Sequence, residues 1–178
     1  MNNRKFSPKV KKIIQLSREE AIRLGHDFIG TEHFLLGMLQ EKDSLPVKVL
    51  DSLEVNLDEL KHKIELTQTL RSADEPAYNF GSIPLNKHAE KVLKVTSLEA
   101  KVFRSDEIKP EHLMLSILKH DENIANRILS DFNVDYEAFK AELEYVRQEL
   151  EGHAPDFMGQ TPSDSDLPID DDDAGDQY

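Results

Sequence analysis

The chain predicts an all-α fold: an eight-helix bundle of two pseudo-twofold-related four-helix repeats, followed by a disordered acidic C-terminal tail. Three observations carry this. Residues 6–65 recur at 85–144 with a constant offset of 79 and no gap. Both copies space their apolar residues at helical intervals, and Val55 and Val134 aside, strand signals are lacking. In the repeat, Lys12 falls on Lys91, Glu20-Ala21 on Glu99-Ala100, Glu32-His33 on Glu111-His112, Leu36 on Leu115 and Leu39 on Leu118. Apolar character persists where identity fails, as at Ile13 and Val92 or Leu53 and Phe132. A surface site on one half therefore has a counterpart position on the other.

The first helix has an apolar face at Val10, Ile13, Ile14, Ser17, Ala21 and Leu24. Its copy repeats that face at Ala89, Val92, Leu93, Thr96, Ala100 and Phe103. Ser7-Pro8 supplies an N-cap hydroxyl and a proline at N1, and Asn86 takes the cap position in the copy. After the turn Gly-His-Asp-Phe-Ile-Gly, Thr31 is the expected cap of a short helix from Glu32 to about Glu41. That helix is apolar on most sides, which places it in the middle of a bundle. Gly37, and Ser116 in the copy, allow a neighbouring helix close approach. A third helix follows Ser44, with Val47, Val49, Leu50 and Leu53, and a fourth follows Asn56, with Leu57, Leu60 and Ile64. The second copy ends in a longer helix, Asp135 to about Glu151, with Phe139, Leu143, Val146 and Leu150 expected on its inner face.

The expected organisation is one domain over 1–151, with repeat 1 at about 6–68, an aperiodic connection at 69–84 and repeat 2 at about 85–151. Residues 152–178 hold eight aspartates and no lysine or arginine, the composition of a disordered tail. They carry −8 of the net charge of −13, so the folded part is only mildly acidic. That balance argues against nucleic acid as a partner. With no cysteine, disulfide and thiolate chemistry are excluded. The basic N-terminus lacks a following apolar segment, and the longest apolar run, Phe34–Leu39, is too short to span a bilayer. A cytosolic protein without membrane partners is expected.

Catalytic signatures are missing. None of the seven glycines is followed by Lys and then Ser or Thr, so there is no phosphate-binding loop. Glu32 and His33 are adjacent and point about 100° apart on a helix, so they cannot both face one metal ion. No catalytic residue, metal ligand or cofactor is assigned to this segment. The duplicated Glu-His at a helix start has two readings. In one, Glu32 favours the helix dipole and His33 packs or bonds locally. In the other it is a recognition site: backbone N–H groups at Ser7-Pro8 hold an anion, while Glu32 pairs with a guanidinium. Periodicity leaves open whether those two helix starts are neighbours.

The stretch EEAIRLGHDFIGTEHFLLGML, preceded by FSPKVKKII and echoed by LEAKVFRSDEIKPEHLMLSIL, resembles the duplicated N-terminal domain of Clp-type AAA+ protein unfoldases. The likeness is to the ClpC branch and covers roughly residues 4–150. It implies an eight-helix domain tethered above an ATPase ring, receiving protein substrates and adaptor proteins for regulated proteolysis with a Clp protease in the bacterial cytoplasm. It also implies phosphoarginine recognition, one site per repeat. On that resemblance the acidic residues are Glu32 and Glu111, each followed by His33 or His112, with Thr31 beside the first. The phosphate falls at Ser7-Pro8 and Asn86-Lys87. ATP and Mg belong to the ATPase modules of such a protein. Two departures stand out: Lys109-Pro110 replaces Gly30-Thr31, and Asn86 replaces Ser7. Lys109 would compete with a guanidinium at Glu111, so the second site is expected to be the weaker. The alternatives are a stand-alone Clp-repeat regulator docking on a Clp ATPase or protease, and a helical metal-binding protein.

Overall fold

The computed structural model describes residues 5–71 and 83–152. Among them the order is β1 (Lys5–Phe6), α1 (Pro8–Arg23), α2 (Thr31–Gln40), α3 (Leu45–Ser52), α4 (Leu57–Arg71), α5 (Lys87–Val102), β2 (Glu107–Ile108), α6 (Pro110–Lys119), α7 (Ile124–Ser130) and α8 (Tyr136–Gly152). The fold is all-α, with four helices per repeat. Residues 72–82 of the expected connection, and 153–178 of the expected tail, lie outside the described residues.

Local chemistry starts the helices where the sequence places them. The Ser7 hydroxyl accepts the Val10 N–H at 3.2 Å, and Asn86 Oδ1 accepts the Ala89 N–H at 2.8 Å. The stripe Val10, Ile13, Ser17 and Ala21 of α1 is buried, as is Ala89, Val92, Thr96 and Ala100 of α5. Helices α2 and α6 are buried from Thr31 to Leu39 and from Pro110 to Leu118, the central pair of the bundle. Gly37 is where α1 crosses α2 closely: a Cβ there would stand 2.7 Å from the Ile13 carbonyl oxygen. At the equivalent crossing Ser116 is accommodated, and its hydroxyl donates to the Val92 carbonyl at 2.8 Å. Turns repeat with the helices. Gly25 and Arg104, offset by 79, both take positive φ after the first helix of their repeat, and so do Glu54 and Asn133 after the third.

The repeats exchange their leading segments. β1 pairs in parallel with β2, Phe6 opposite Ile108, and the Ser7 N–H donates to the Ile108 carbonyl at 2.9 Å. The pseudo-twofold counterpart is the bridge of Ile29 with Leu85, where the Asn86 N–H donates to the Ile29 carbonyl at 2.9 Å. Each repeat's first helix is thus anchored to the turn of the other repeat. The helices follow suit: α2 packs on α7, α3 on α6 and α4 on α7. The Thr31 hydroxyl accepts the Ala125 N–H at 3.2 Å, tying the start of α2 to the start of α7.

Four expectations need correction. Short strands exist at β1 and β2, where no strand is expected, because two residues are too few to show a period. The N-cap of α2 is Gly30, with Thr31 at N1. Helix α4 runs on to Arg71, into the segment expected to connect the repeats. In the last turns of α8 Val146 is half-buried but Leu150 is 49% exposed, so the buried stripe of α8 ends before it.

The start of α8 carries one charged contact that gives the domain an alkaline sensitivity. The Tyr136 hydroxyl donates to Glu99 Oε1 at 2.9 Å, and Lys119 lies 3.3 Å from Glu99 Oε2 and 4.9 Å above the Tyr136 ring. Burial first, then the Glu99 bond, push the phenol up to about 12. Its folded value lies above the unfolded value of about 10, so this stabilisation is complete below pH ~10 and fades as pH rises toward 12. Tyr136→Phe is expected to cost about 1–2 kcal/mol at neutral pH, the net worth of a hydrogen bond to a buried carboxylate that Lys119 also pairs. In urea unfolding at stepped pH, the gap between wild type and variant should close from 10 to 12; a constant gap would refute the assignment.

Candidate functional site

The start of α2 is built by a histidine rather than by a capping hydroxyl. The Gly30 N–H donates to His33 Nδ1 at 2.8 Å, and in the copy the Lys109 N–H donates to His112 Nδ1 at 2.9 Å. Accepting at Nδ1 places the proton of a neutral His33 on Nε2, which lies 2.9 Å from His26 Nδ1 and donates to it. His33 and His112 are fully buried and hold the helix starts in shape. The local-bonding reading of the histidines is therefore the one that the geometry favours. Ser105 stands at the position of His26 in the second repeat, so only the first repeat has the paired rings.

Glu32 is equally buried, at N2 of α2, where the helix N-terminus favours a carboxylate. Its side chain folds back over Gly30. A Cβ at Gly30 would fall on the Glu32 carboxylate and stand 3.0 Å from Asn86 Nδ2. Glycine therefore leaves the room in which Glu32 sits against Asn86. In the second repeat Lys109 stands in place of Gly30, so a side chain is attached where the first repeat has none, and Glu111 there is 4% exposed.

Glu32 and Thr31 form one wall of a cleft of about 400 Å³. The other wall comes from the second repeat: Asn86 and His88 at the start of α5, then Glu122, Ile124 and Arg127 at the start of α7. Charges are separated across it. Lys91 bonds Glu122 at 3.0 Å and holds its carboxyl below the usual carboxylate range. Arg127 is exposed. At the start of α5 the Asn86 side chain accepts the Ala89 N–H, and the first N–H groups of a helix have no partner within it. A buried carboxylate thus faces a helix N-terminus and a guanidinium across a small open cleft. Such an arrangement suits binding of a group with a cationic and an anionic end.

Of the residues predicted from sequence, Thr31, Glu32 and Asn86 come together here, and Lys87 follows Asn86 at N1 of α5. Ser7 and Pro8 sit at the other end of the pseudo-twofold, bonded to Ile108, three residues before Glu111. The helix start beside Glu32 is thus that of α5, from the other repeat, a point that periodicity leaves open. Arg127, His88 and Glu122 were missed. The offset of 79 maps them to Lys48, Lys9 and Asp43, but nothing in a linear repeat links α7 to α2. Among the described residues no three His, Cys, Asp or Glu side chains are grouped to hold a metal ion. Nor is any described helix long and apolar enough to cross a membrane.

The fold defines a class: an all-α domain of two pseudo-twofold four-helix repeats packed against each other. The chain belongs to the Clp repeat (R) N-terminal domain family, whose model matches residues 5–132 and 84–169. It is 35% identical over 131 residues to the chloroplastic chaperone protein ClpC of Pisum sativum, covering 74% of this chain and 14% of that protein. The chain therefore spans only a small part of the length of such relatives. Its fold is similar to the N-terminal domain of the Clp-protease-associated chaperone ClpD from Arabidopsis thaliana, with a TM-score of 0.62 at 20% identity, covering 81% of this chain and 95% of that one. It is also similar to a ClpV N-domain solved in complex with a VipB peptide, with a TM-score of 0.60 at 18% identity over 79% of this chain and 88% of that one.

Proposed function

We propose that this domain receives protein substrates and adaptors for a ClpC-like ATP-dependent unfoldase in regulated proteolysis, and that its shared cleft recognises phosphoarginine. The observation that carries the reading is the opposition of the buried Glu32 carboxylate to the α5 start and Arg127. A phosphoarginine side chain would direct its guanidinium to Glu32 and its phosphate to the N–H groups of Lys87 and His88 and to Arg127. The solved complex of a ClpV N-domain with a peptide supports protein partners for this fold. ATP hydrolysis, with its Mg, would belong to ATPase modules elsewhere in the parent protein, together with the Clp protease that they feed. Tethering would raise the substrate concentration at the ring entrance. The bacterial cytoplasm is the proposed location.

The test is calorimetric titration of phosphoarginine into wild type, Glu32→Ala and Glu111→Ala. Glu32→Ala is expected to weaken binding by about tenfold or more, the worth of one charge-assisted pair. Glu111→Ala is expected to lose less, because Lys109 stands where the first repeat has Gly30 and would compete with the guanidinium at Glu111. Absence of heat with the intact domain would refute the ligand, and equal losses would remove the role given to Gly30.

A further inference from the structure

A second cleft, of about 680 Å³, opens in the first repeat between α1, α2 and the α3–α4 corner. Its walls include Glu20, Leu36, Leu39, Val55 and Lys61, with Leu57 at its edge. Shifted by 79, these positions read Glu99, Leu115, Leu118, Val134, Lys140 and Tyr136. Five of the six are identical, and position 57 is the exception. The second repeat places a tyrosine there, whose ring packs beneath Lys119 and whose hydroxyl reaches Glu99. The first repeat keeps the walls and lacks the plug.

We propose that this cleft receives a tyrosine side chain from a protein partner, in the place that Tyr136 fills in the second repeat. The carboxylate at its end is retained. Glu20 is the counterpart of Glu99, 9% exposed and fixed by neighbours: Arg23 Nη2 at 2.6 Å from Oε1, and Gln40 Nε2 at 2.7 Å from Oε2. A carboxylate offers about four lone-pair positions, and these contacts with the Arg23 Nε bond use three. One remains for a phenolic hydroxyl. The sides are aliphatic, Leu36, Leu39, Val55 and Leu57, and suit the faces of an aromatic ring. Arg23 is itself braced from α4 by Glu65 at 2.6 Å, so Glu20 is held in place before any ligand arrives. The site is distinct from the Glu32 cleft, and its occupancy does not depend on phosphoarginine.

The experiment is an NMR titration of the isotopically labelled full chain with N-acetyltyrosinamide and with N-acetylphenylalaninamide, in wild type and Leu57→Tyr. Tyrosinamide is expected to shift the amides of Leu36, Leu39, Val55 and Leu57. Phenylalaninamide should bind about tenfold more weakly, for want of the bond to Glu20. Leu57→Tyr should raise the melting temperature, abolish these shifts and leave phosphoarginine binding unchanged. Three results would each overturn the proposal: no shifts in wild type, equal binding of the two amides, or undiminished shifts in a folded Leu57→Tyr chain. If Leu57→Tyr does not fold, the comparison of the two amides in wild type decides by itself.

Discussion

Gly37→Val is expected to destabilise the domain by about 3 kcal/mol or more, a large share of the 5–15 kcal/mol that holds an average domain folded. A Cβ at this position would lie 2.7 Å from the Ile13 carbonyl oxygen and 3.1 Å from the Ser17 nitrogen, both backbone atoms of α1. It would also lie 2.8 Å from Ser17 Oγ, which is committed to the Ile13 carbonyl at 2.7 Å. Backbone cannot step aside as a flexible side chain can, so α1 and α2 must separate along their whole crossing. The second repeat is a built-in control. There Ser116 fits, so the α5–α6 crossing already accommodates a Cβ, and Ser116→Gly should cost only about 1 kcal/mol in helix propensity and a lost hydrogen bond. Urea midpoints of the two variants measure the contrast. A Gly37→Val chain as stable as Ser116→Gly would show that the closeness of the α1–α2 crossing is unimportant.

The two crossings illustrate what the chain reveals directly. Apolar residues three and four apart identify α1 and α5, and the all-round apolar α2 and α6 announce their central place, because burial imposes the helical period. Gly37 within such a helix signals close approach by itself. The cap of α2 was less legible. Thr31 looks like the capping residue, yet its hydroxyl serves Ala125 on the far repeat, while Gly30 is capped by a histidine ring. A tertiary bond had taken the group that local preference would have used. The positive-φ turns at Arg104 and Glu54 are hidden for a similar reason: among the described residues only their counterparts Gly25 and Asn133 mark the turn by residue type.

Glu32 is legible as a group at a helix start, but the repeat leaves open which other helix start lies beside it. A duplication of constant offset fixes which residues correspond; it does not say whether two corresponding elements meet within a repeat or across the twofold. Both arrangements satisfy the same helical pattern. The choice is made by β1 and by Leu85, which carry each first helix onto the other repeat's turn through bonds of two residues each. For that reason Asn86, not Ser7, lies beside Glu32. The same exchange brings Arg127, a residue with no motif around it, to the cleft.

Separating the repeats should therefore abolish both the fold and the site. Residues 1–76 and 77–178, produced as two chains, are each expected to lack a cooperative unfolding transition, and to regain it on equimolar mixing. Each half holds a single repeat of 60 residues, and a folded unit of about that size buries only ~60% of its surface. Here each half would also expose the faces of α2, α3 and α4, or of α6 and α7, that pack across the interface. It would lose the partners of Ser7, Ile29, Asn86 and Ala125, leaving backbone groups that are bonded across the interface to find water instead. Circular dichroism and thermal scans of the separate and mixed chains measure the effect. Phosphoarginine binding should return only in the mixture, because Glu32 lies on one chain and Asn86 and Arg127 on the other. An independently folded first half that bound the ligand would contradict the shared cleft and restore a site within one repeat.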